Sequence, residues 1–131
     1  MKEDVTRRTY LITYSQADLE IMPSKEVFAA AVVEAFRAGG GASQPVHWCC
    51  GVEVHEDGGF HYHLIVKLSA ASRWFHVRTA LKDVHNIDVH FSEGYGARYS
   101  DGYRYVCKED ANPHHSDPHP DLVKISAQPQ V

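Results

Sequence analysis

Two strand-like runs joined by four turn residues constrain this chain more than any other feature. Val46 to His55 and Phe60 to Leu68 are rich in β-branched and aromatic residues, and Glu56-Asp57-Gly58-Gly59 lies between them. An Asp-Gly pair supplies the positive φ that a tight turn needs, so the runs are expected to close as an antiparallel hairpin. An isolated hairpin is at best marginally stable in water and needs further strands or helices over its apolar face. With 131 residues, 44% of them apolar, the chain has material for one such core.

The rest of the sequence supplies those partners. Arg8 to Tyr14 reads as a strand, followed by a loop over Ser15 to Pro23. Ser24 is placed to cap a helix whose apolar residues Val27, Phe28, Ala31, Val32, Ala35 and Phe36 recur at helical spacing. Gly39-Gly40-Gly41 is placed to end it. Ser72 is placed to cap a second helix carrying Trp74, Val77, Leu81 and Val84 as its apolar stripe. Asn86 to Phe91 alternates as a fourth strand, and Glu93 to Gly96 is a flexible turn. Tyr99 to Glu109 fits a short helix, against the propensity of Gly102. The order β-α-β-β-α-β-α predicts an α+β fold, a central antiparallel sheet with flanking helices in a ferredoxin-like or RRM-like arrangement. After Ala111 the chain becomes rich in Pro and His (NPHHSDPHPD), and neither helix nor strand is expected there. The expected organisation is a domain over residues 1–111 and a tail or linker over 112–131, leading to a further domain in a longer parent protein.

Formal charge is −4 with histidine neutral. Nucleic-acid-binding domains usually carry a basic excess, so any such partner would need a local basic groove, with a metal adding positive charge at the site. The three cysteines, Cys49, Cys50 and Cys107, form no CxxC pair, and Cys49 and Cys50 on one strand point to opposite faces. They read as free thiols of a reducing compartment. Neither a signal peptide nor an apolar run of membrane-spanning length is seen, so the expectation is an intracellular protein without a membrane partner.

Two clusters carry chemistry. His61 and His63 lie two apart on a strand, so they share a face with Cα atoms roughly 6.5–7 Å apart, and two imidazoles can converge on one ion. Across the hairpin Glu53 is expected close to opposite His63, with His55 near the turn as a reserve ligand. This oxygen and nitrogen set suits Mg²⁺ or Mn²⁺, and Zn²⁺ as well. With ten histidines in the chain, metal-free sheet-surface histidines are the plain alternative. The second cluster is Tyr105-Val106-Cys107-Lys108. A tyrosine hydroxyl has an ordinary pKa of about 10 and is a weak nucleophile unless its target is activated, as a phosphate is by a divalent cation. A lysine one turn away can hold that phosphate or stabilise the phenolate. Tyr103 is the rival nucleophile, and a core tyrosine beside a solvated lysine is the structural alternative.

Taken together, these segments resemble the HUH endonuclease domain of rolling-circle replication initiators (Rep proteins) of circular single-stranded DNA viruses, in particular the geminivirus-like type. Tyr10-Leu11-Ile12-Thr13-Tyr14-Ser15-Gln16 resembles the family's first motif, of the form FLTYPQ. Phe60-His61-Tyr62-His63-Leu64 resembles its histidine-hydrophobe-histidine motif, and Tyr105-Val106-Cys107-Lys108 its YxxK motif. Glu53-Val54-His55-Glu56-Asp57-Gly58 resembles the segment whose glutamate completes the metal site in that branch. The resemblance spans about Tyr10 to Asp110. It implies an HUH nuclease fold that nicks and rejoins single-stranded DNA at an origin hairpin or stem-loop through a covalent 5′-phosphotyrosine. The implied roles are metal ligation by Glu53, His61 and His63 with Mn²⁺ or Mg²⁺, nucleophilic attack by Tyr105, and assistance by Lys108. Thr13, Tyr14 and Gln16 would contact DNA. Ser15 departs from the family's proline. No GxxxxGK loop occurs, so helicase activity is not expected of this chain. A helicase domain in a longer parent, or separate replication proteins, would be its partners, in the host nucleus or the cytoplasm.

Arg7, Arg8, Lys67, Arg73, Arg78, Lys82, Arg98 and Arg104 are candidate phosphate contacts, with Arg73 and Arg104 assigned to DNA; Tyr14, Tyr95 and Tyr99 are candidate stacking platforms. Three other functions compete. A histidine-dependent nucleotide phosphohydrolase of the histidine-triad kind needs a third alternating histidine where Ile65 stands. A non-catalytic RRM-like module would stack bases on the strand Tyr10 to Tyr14, but its glycine-aromatic signature is missing. A metal-storage or sensor domain would use His114, His115 and His119 of the tail.

Overall fold

The hairpin forms and organises the sheet. In the computed structural model, which describes residues 1–39 and 41–127, β2 (Pro45–Val54) and β3 (Phe60–Arg73) pair antiparallel. Gly40 of the expected helix stop and residues 128–131 of the expected tail lie outside the described residues. The turn is a three-residue loop with Gly58 at φ 85°, closed by His55 N–H donating to the Gly59 carbonyl at 2.8 Å. This is the type of loop in which a glycine takes the left-handed position after the turn.

Around the hairpin stand β1 (Thr6–Tyr14), α1 (Lys25–Gly39), α2 (Phe75–His85), β4 (His90–Phe91), α3 (Tyr99–Cys107), β5 (His114–His115) and α4 (Leu122–Ser126). The strand order is β4-β1-β3-β2-β5, with every neighbouring pair antiparallel. Since β3 lies between β1 and β2, the unit β1-α1-β2 is split, and the fold is the α+β, ferredoxin-like arrangement expected from the element order. No helix among the described residues is long and apolar enough to cross a membrane.

Both faces of the sheet are covered. The period of two sends Tyr10, Ile12, Tyr14, Cys50, Tyr62, Leu64 and Val66 to one face, under Phe28, Val32 and Phe36 of α1 and Val77 and Leu81 of α2. Leu11, Cys49 and Ile65 face the other way, beneath Tyr99 and Val106 of α3 and Ile125 of α4. The three cysteines are free, and Cys49 and Cys50 belong to opposite faces. Ser24 caps α1 by accepting from Val27 N–H at 3.2 Å.

Two glycines let α3 lie close to the strands. A Cβ at Gly102 would meet Ile65 Cδ1 at 2.2 Å, and one at Gly51 would meet the Val106 carbonyl oxygen at 2.6 Å. A side-chain methyl can rotate away, but a backbone carbonyl cannot move without the helix. Gly51→Ala is therefore expected to cost about 1–3 kcal/mol, seen as a lower urea midpoint with an unchanged slope.

Several local expectations are corrected. Ser72 does not cap a helix: β3 runs on to Arg73, Ser72 pairs with Arg7, and α2 begins after Trp74. Val27 and Val84 were expected on apolar stripes but are exposed. Only His90 and Phe91 of Asn86–Phe91 are hydrogen-bonded as a strand, although Ile87, Val89 and Phe91 are alternately buried as expected. Asn86 instead terminates α2 in the left-handed conformation.

The segment expected to form neither helix nor strand holds β5 and α4. His114 and His115 pair with Cys50 and Cys49. Ser116 N–H donates to the Trp48 carbonyl at 2.9 Å, and Trp48 N–H donates to Ser116 Oγ at 2.9 Å. Further along β2, Val52 N–H donates to Asp110 Oδ2 at 2.9 Å, so residues 110–116 satisfy the outer side of β2 from Trp48 to Val52. Asp121 caps α4 through Lys124 N–H, and Ile125 is buried.

Candidate active site

Register places the histidines. On the face that carries α3, Thr13, His63 and Gly51 form one row across β1, β3 and β2, and the next row toward the turn pairs His61 with Glu53. Glu53 is thus opposite His61, not His63 as expected: the loop over residues 56–58 sets Val54 opposite Phe60, which fixes the pairs that follow. It still reaches both histidines' neighbourhood: Glu53 Oε1 accepts from His63 Nε2 at 3.3 Å and from His55 Nε2 at 3.0 Å. Potential donor atoms of Glu53, His55 and His61 all lie within 4.8 Å of one another. The reserve ligand His55 is therefore part of the cluster, its ring stacked on that of His61 at 3.7 Å.

Two features prepare this cluster for a cation. His61 Nε2 is buried and has no hydrogen-bond partner, a costly state that a metal–nitrogen bond would relieve. His63 is 8% exposed, and Thr13 Oγ1 lies 2.9 Å from its Nδ1, fixing the ring. Burial holds the His63 pKa below its ordinary value, with Glu53 acting in the opposite direction and the charges of His61 and His55 adding to the lowering. That direction favours the neutral form, which is the one that metals bind. At Glu53, burial pushes the pKa up, but hydrogen bonds from His63 and His55 outweigh it and hold the carboxyl below its usual range. All four residues suit a divalent ion by donor type, but the three whose donor atoms converge are Glu53, His55 and His61; of the expected triad, His63 joins only through the Glu53 oxygen.

The third element of the site arrives on α3. Buried Tyr99, Gly102 and Val106 fix one helix face on the sheet, which leaves Tyr105 at the margin. Its ring stands edge-on to His63, with centroids 5.2 Å apart. Glu53, His63, Tyr105 and Lys108 line one small cleft of about 50 Å³, together with Val52, Val106 and Glu109. Tyr103, the rival, packs instead against Tyr99, and burial together with the neighbouring Cys107 and Cys49 pushes its pKa up to about 12.

Beside the cleft runs a groove of about 470 Å³, lined by Gly94–Ala97 and by Arg98, Asp101, Arg104, Tyr105 and Lys108. Tyr95 is 56% exposed and tilts over Tyr105 at 5.3 Å. Arg7 donates to the carbonyls of Ser92 and Tyr95 at 3.2 and 3.3 Å, so it anchors this loop by its backbone.

The other candidate DNA contacts are distributed differently. Thr13 supports His63, and Gln16 turns to the hairpin loop, where its Oε1 lies against Gly59. Tyr14 is buried against Phe28 and Tyr62, and its hydroxyl accepts from Asp18 N–H, so its ring is not presented to a ligand. Tyr99 is likewise buried. Arg73 pairs with Thr6, seven residues along β1 from the Thr13–His63 row, or roughly 23 Å away. Arg8 donates to the Ser69 carbonyl, and Lys67 is buried. Arg78 and Lys82 lie on α2, over the opposite sheet face. Arg98 and Arg104 alone among the eight basic candidates line the groove, where they are joined by Lys108. The supporting roles of Thr13 and Gly51 were missed in the sequence; the signal for both is their shared row with His63.

Fold and site together define an α+β domain with a histidine–glutamate cluster at one end of a sheet face and a half-exposed tyrosine packed against it. No family model matches the chain, and no curated protein matches it.

Proposed function

We propose that this chain is a metal-dependent endonuclease and nucleotidyltransferase that nicks and rejoins single-stranded DNA, in the manner of a rolling-circle replication initiator. The observation that carries the proposal is the convergence of Glu53, His63, Tyr105 and Lys108 on one cleft. Glu53, His61 and His63 would hold Mn²⁺ or Mg²⁺, which when bound neutralises charge on a phosphate. Tyr105 Oη forms a bond to the phosphorus as the P–O3′ bond breaks. The electron pair leaves with O3′, which takes up a proton, and the tyrosine proton passes to water. A 5′-phosphotyrosine and a free 3′-hydroxyl result, and attack by a 3′-hydroxyl reverses the step. Lys108 stabilises the negative charge of phosphate and phenolate. Such a protein acts on origin hairpins or stem-loops in the host nucleus or cytoplasm, with a helicase supplied by another domain or protein.

The RRM-like alternative needs an open sheet face, and both faces are covered. The histidine-triad alternative needs a third histidine where Ile65 is buried in the core.

Incubation with single-stranded stem-loop oligonucleotides and Mn²⁺, followed by a denaturing gel, is expected to give a covalent protein–DNA band that disappears in His61→Ala. Absence of a band with every oligonucleotide and metal would reject the proposal. The groove makes a separate prediction. Base stacking on an exposed aromatic contributes about 1–3 kcal/mol, so Tyr95→Ala is expected to weaken binding of single-stranded DNA by on the order of 10-fold, measured by fluorescence anisotropy.

A further inference from the structure

We propose that the metal centre has three histidine ligands, with His55 joining Glu53, His61 and His63, and that this donor set selects a transition ion over Mg²⁺. The inference rests on the metal-dependent site proposed above, but it concerns a residue which that reading leaves out.

The geometry of the turn creates the extra ligand. Glu53 and His55 lie two apart on the chain as it leaves β2, and His61 faces Glu53 from β3. His55 Nε2 is 3.0 Å from Glu53 Oε1, and His63 Nε2 is 3.3 Å from the same oxygen. Ligands about 2.0–2.1 Å from a common ion stand about 2.8–3.0 Å apart as octahedral neighbours and about 3.3–3.4 Å apart as tetrahedral ones. Both contacts are therefore already near the separation of two donors on one ion. The His55 ring stacks on that of His61, with 3.7 Å between centroids and 19° between planes, so one of the two rings must turn for both nitrogens to point at one ion. His61 Nε2, buried without a partner, has its need for one met only when an ion or proton arrives.

The chemistry follows from the donor count. Mg²⁺ prefers oxygen ligands in a near-ideal octahedron and gives up its water reluctantly. Three neutral imidazoles and one carboxylate offer it one oxygen. Mn²⁺, Co²⁺ and Zn²⁺ accept imidazole readily. In a six-coordinate ion, four protein ligands still leave two positions for a phosphate oxygen and a water. The His55 side chain is 41% exposed and sits at the turn, so removing it disturbs no core packing.

The test uses Co²⁺ as the probe, in the full chain and in His55→Ala and His55→Asn. Visible d–d absorption follows binding, and circular dichroism verifies that each variant is folded. The parent is expected to bind Co²⁺ with a spectrum that a large excess of Mg²⁺ leaves unchanged. Both variants are expected to lose on the order of 10–100-fold in affinity and to show an altered spectrum. In the parent, proton NMR of the Co²⁺ complex is expected to show three hyperfine-shifted imidazole N–H signals, one of them absent from the variants. Equal affinity and identical spectra in parent and variants would overturn the role of His55 while leaving the metal site standing, as would two imidazole signals in the parent. Displacement of Co²⁺ by Mg²⁺ at comparable concentration would overturn the selectivity. Failure of the parent to bind Co²⁺, Mn²⁺ or Mg²⁺ would remove the metal-dependent reading itself.

Discussion

Tyr105→Phe is expected to abolish the covalent adduct with single-stranded DNA, a loss on the order of 10³-fold or more, while Tyr103→Phe retains it. The variant keeps the ring that packs edge-on to His63 and beneath Tyr95, so folding stability should change by less than about 0.5 kcal/mol. Metal binding and non-covalent DNA binding should survive for the same reason, because only the attacking oxygen is removed. Tyr103 is the informative control. It lies two residues away on the same helix, but it packs with Cys107 against the buried cluster beneath α3, and burial raises its pKa to about 12. A phenol that ionises less readily, and whose ring packs beside Tyr99, is poorly placed for attack on a phosphate at the histidine cluster. An adduct formed by Tyr105→Phe but not by Tyr103→Phe would reassign the nucleophile.

Asp110→Ala is expected to lose about 3 kcal/mol of folding stability, among the largest effects of any single surface-to-core change in this protein. Asp110 Oδ2 accepts from Lys25 Nζ at 2.8 Å and from Val52 N–H at 2.9 Å, and Oδ1 accepts from Asn112 N–H at 2.9 Å. The side chains of Lys25 and Asp110 are 16% and 9% exposed, so removing the carboxylate leaves a largely buried ammonium with only the Asn112 carbonyl, and two backbone donors without their acceptor. Burial pushes the Asp110 pKa up, but the bonds from Lys25, Val52 and Asn112 outweigh it and hold it below its ordinary value of 3.8. Below that ordinary value the unfolded chain binds the proton and the native protein resists it. The stabilisation is therefore present above pH 3.8 and is lost as pH falls toward the native pKa. Urea unfolding from neutral to acid pH should show the parent losing this contribution in that window, with Asp110→Ala flatter there. Asp110→Asn, which keeps an acceptor for Val52, should fall between the two.

Much of this arrangement was legible in the sequence because it obeys local periodicity. Alternation located β1, β2 and β3, and helical spacing located α1 and α2. The shared face of His61 and His63 follows from the period of two alone. Register was not legible: a two-residue Asp57-Gly58 loop would set Glu53 opposite Tyr62, whereas the three-residue loop sets it opposite His61, two positions from the expected His63. Nor were the short extent of β4, or β5 and α4, legible. Elements of two to five residues carry no period of their own, and they are held by contacts with β1, β2 and α3. The solvent exposure of Tyr14 could not be read from its motif either, since an aromatic on a strand packs inward wherever a helix covers that face. The glycines were informative in a way that propensity obscured. Gly102 counts against a helix by itself, but its missing side chain is what allows α3 to rest on Ile65.

The bonds that residues 110–116 make to β2 also bear on how this protein behaves among copies of itself. An unpaired strand margin is a template on which another chain can add, and natural sheets guard against it. Here the guard is built from the Pro- and His-rich stretch, which bonds the N–H and carbonyl of Trp48 and pairs with Cys49 and Cys50 as a short strand. A version ending at Ala111 would shed that cover and open a length of β2 to intermolecular pairing. Its first symptom would be self-association at high concentration, not loss of secondary structure. The boundary that composition marks at Ala111 would then be a poor place to shorten the chain.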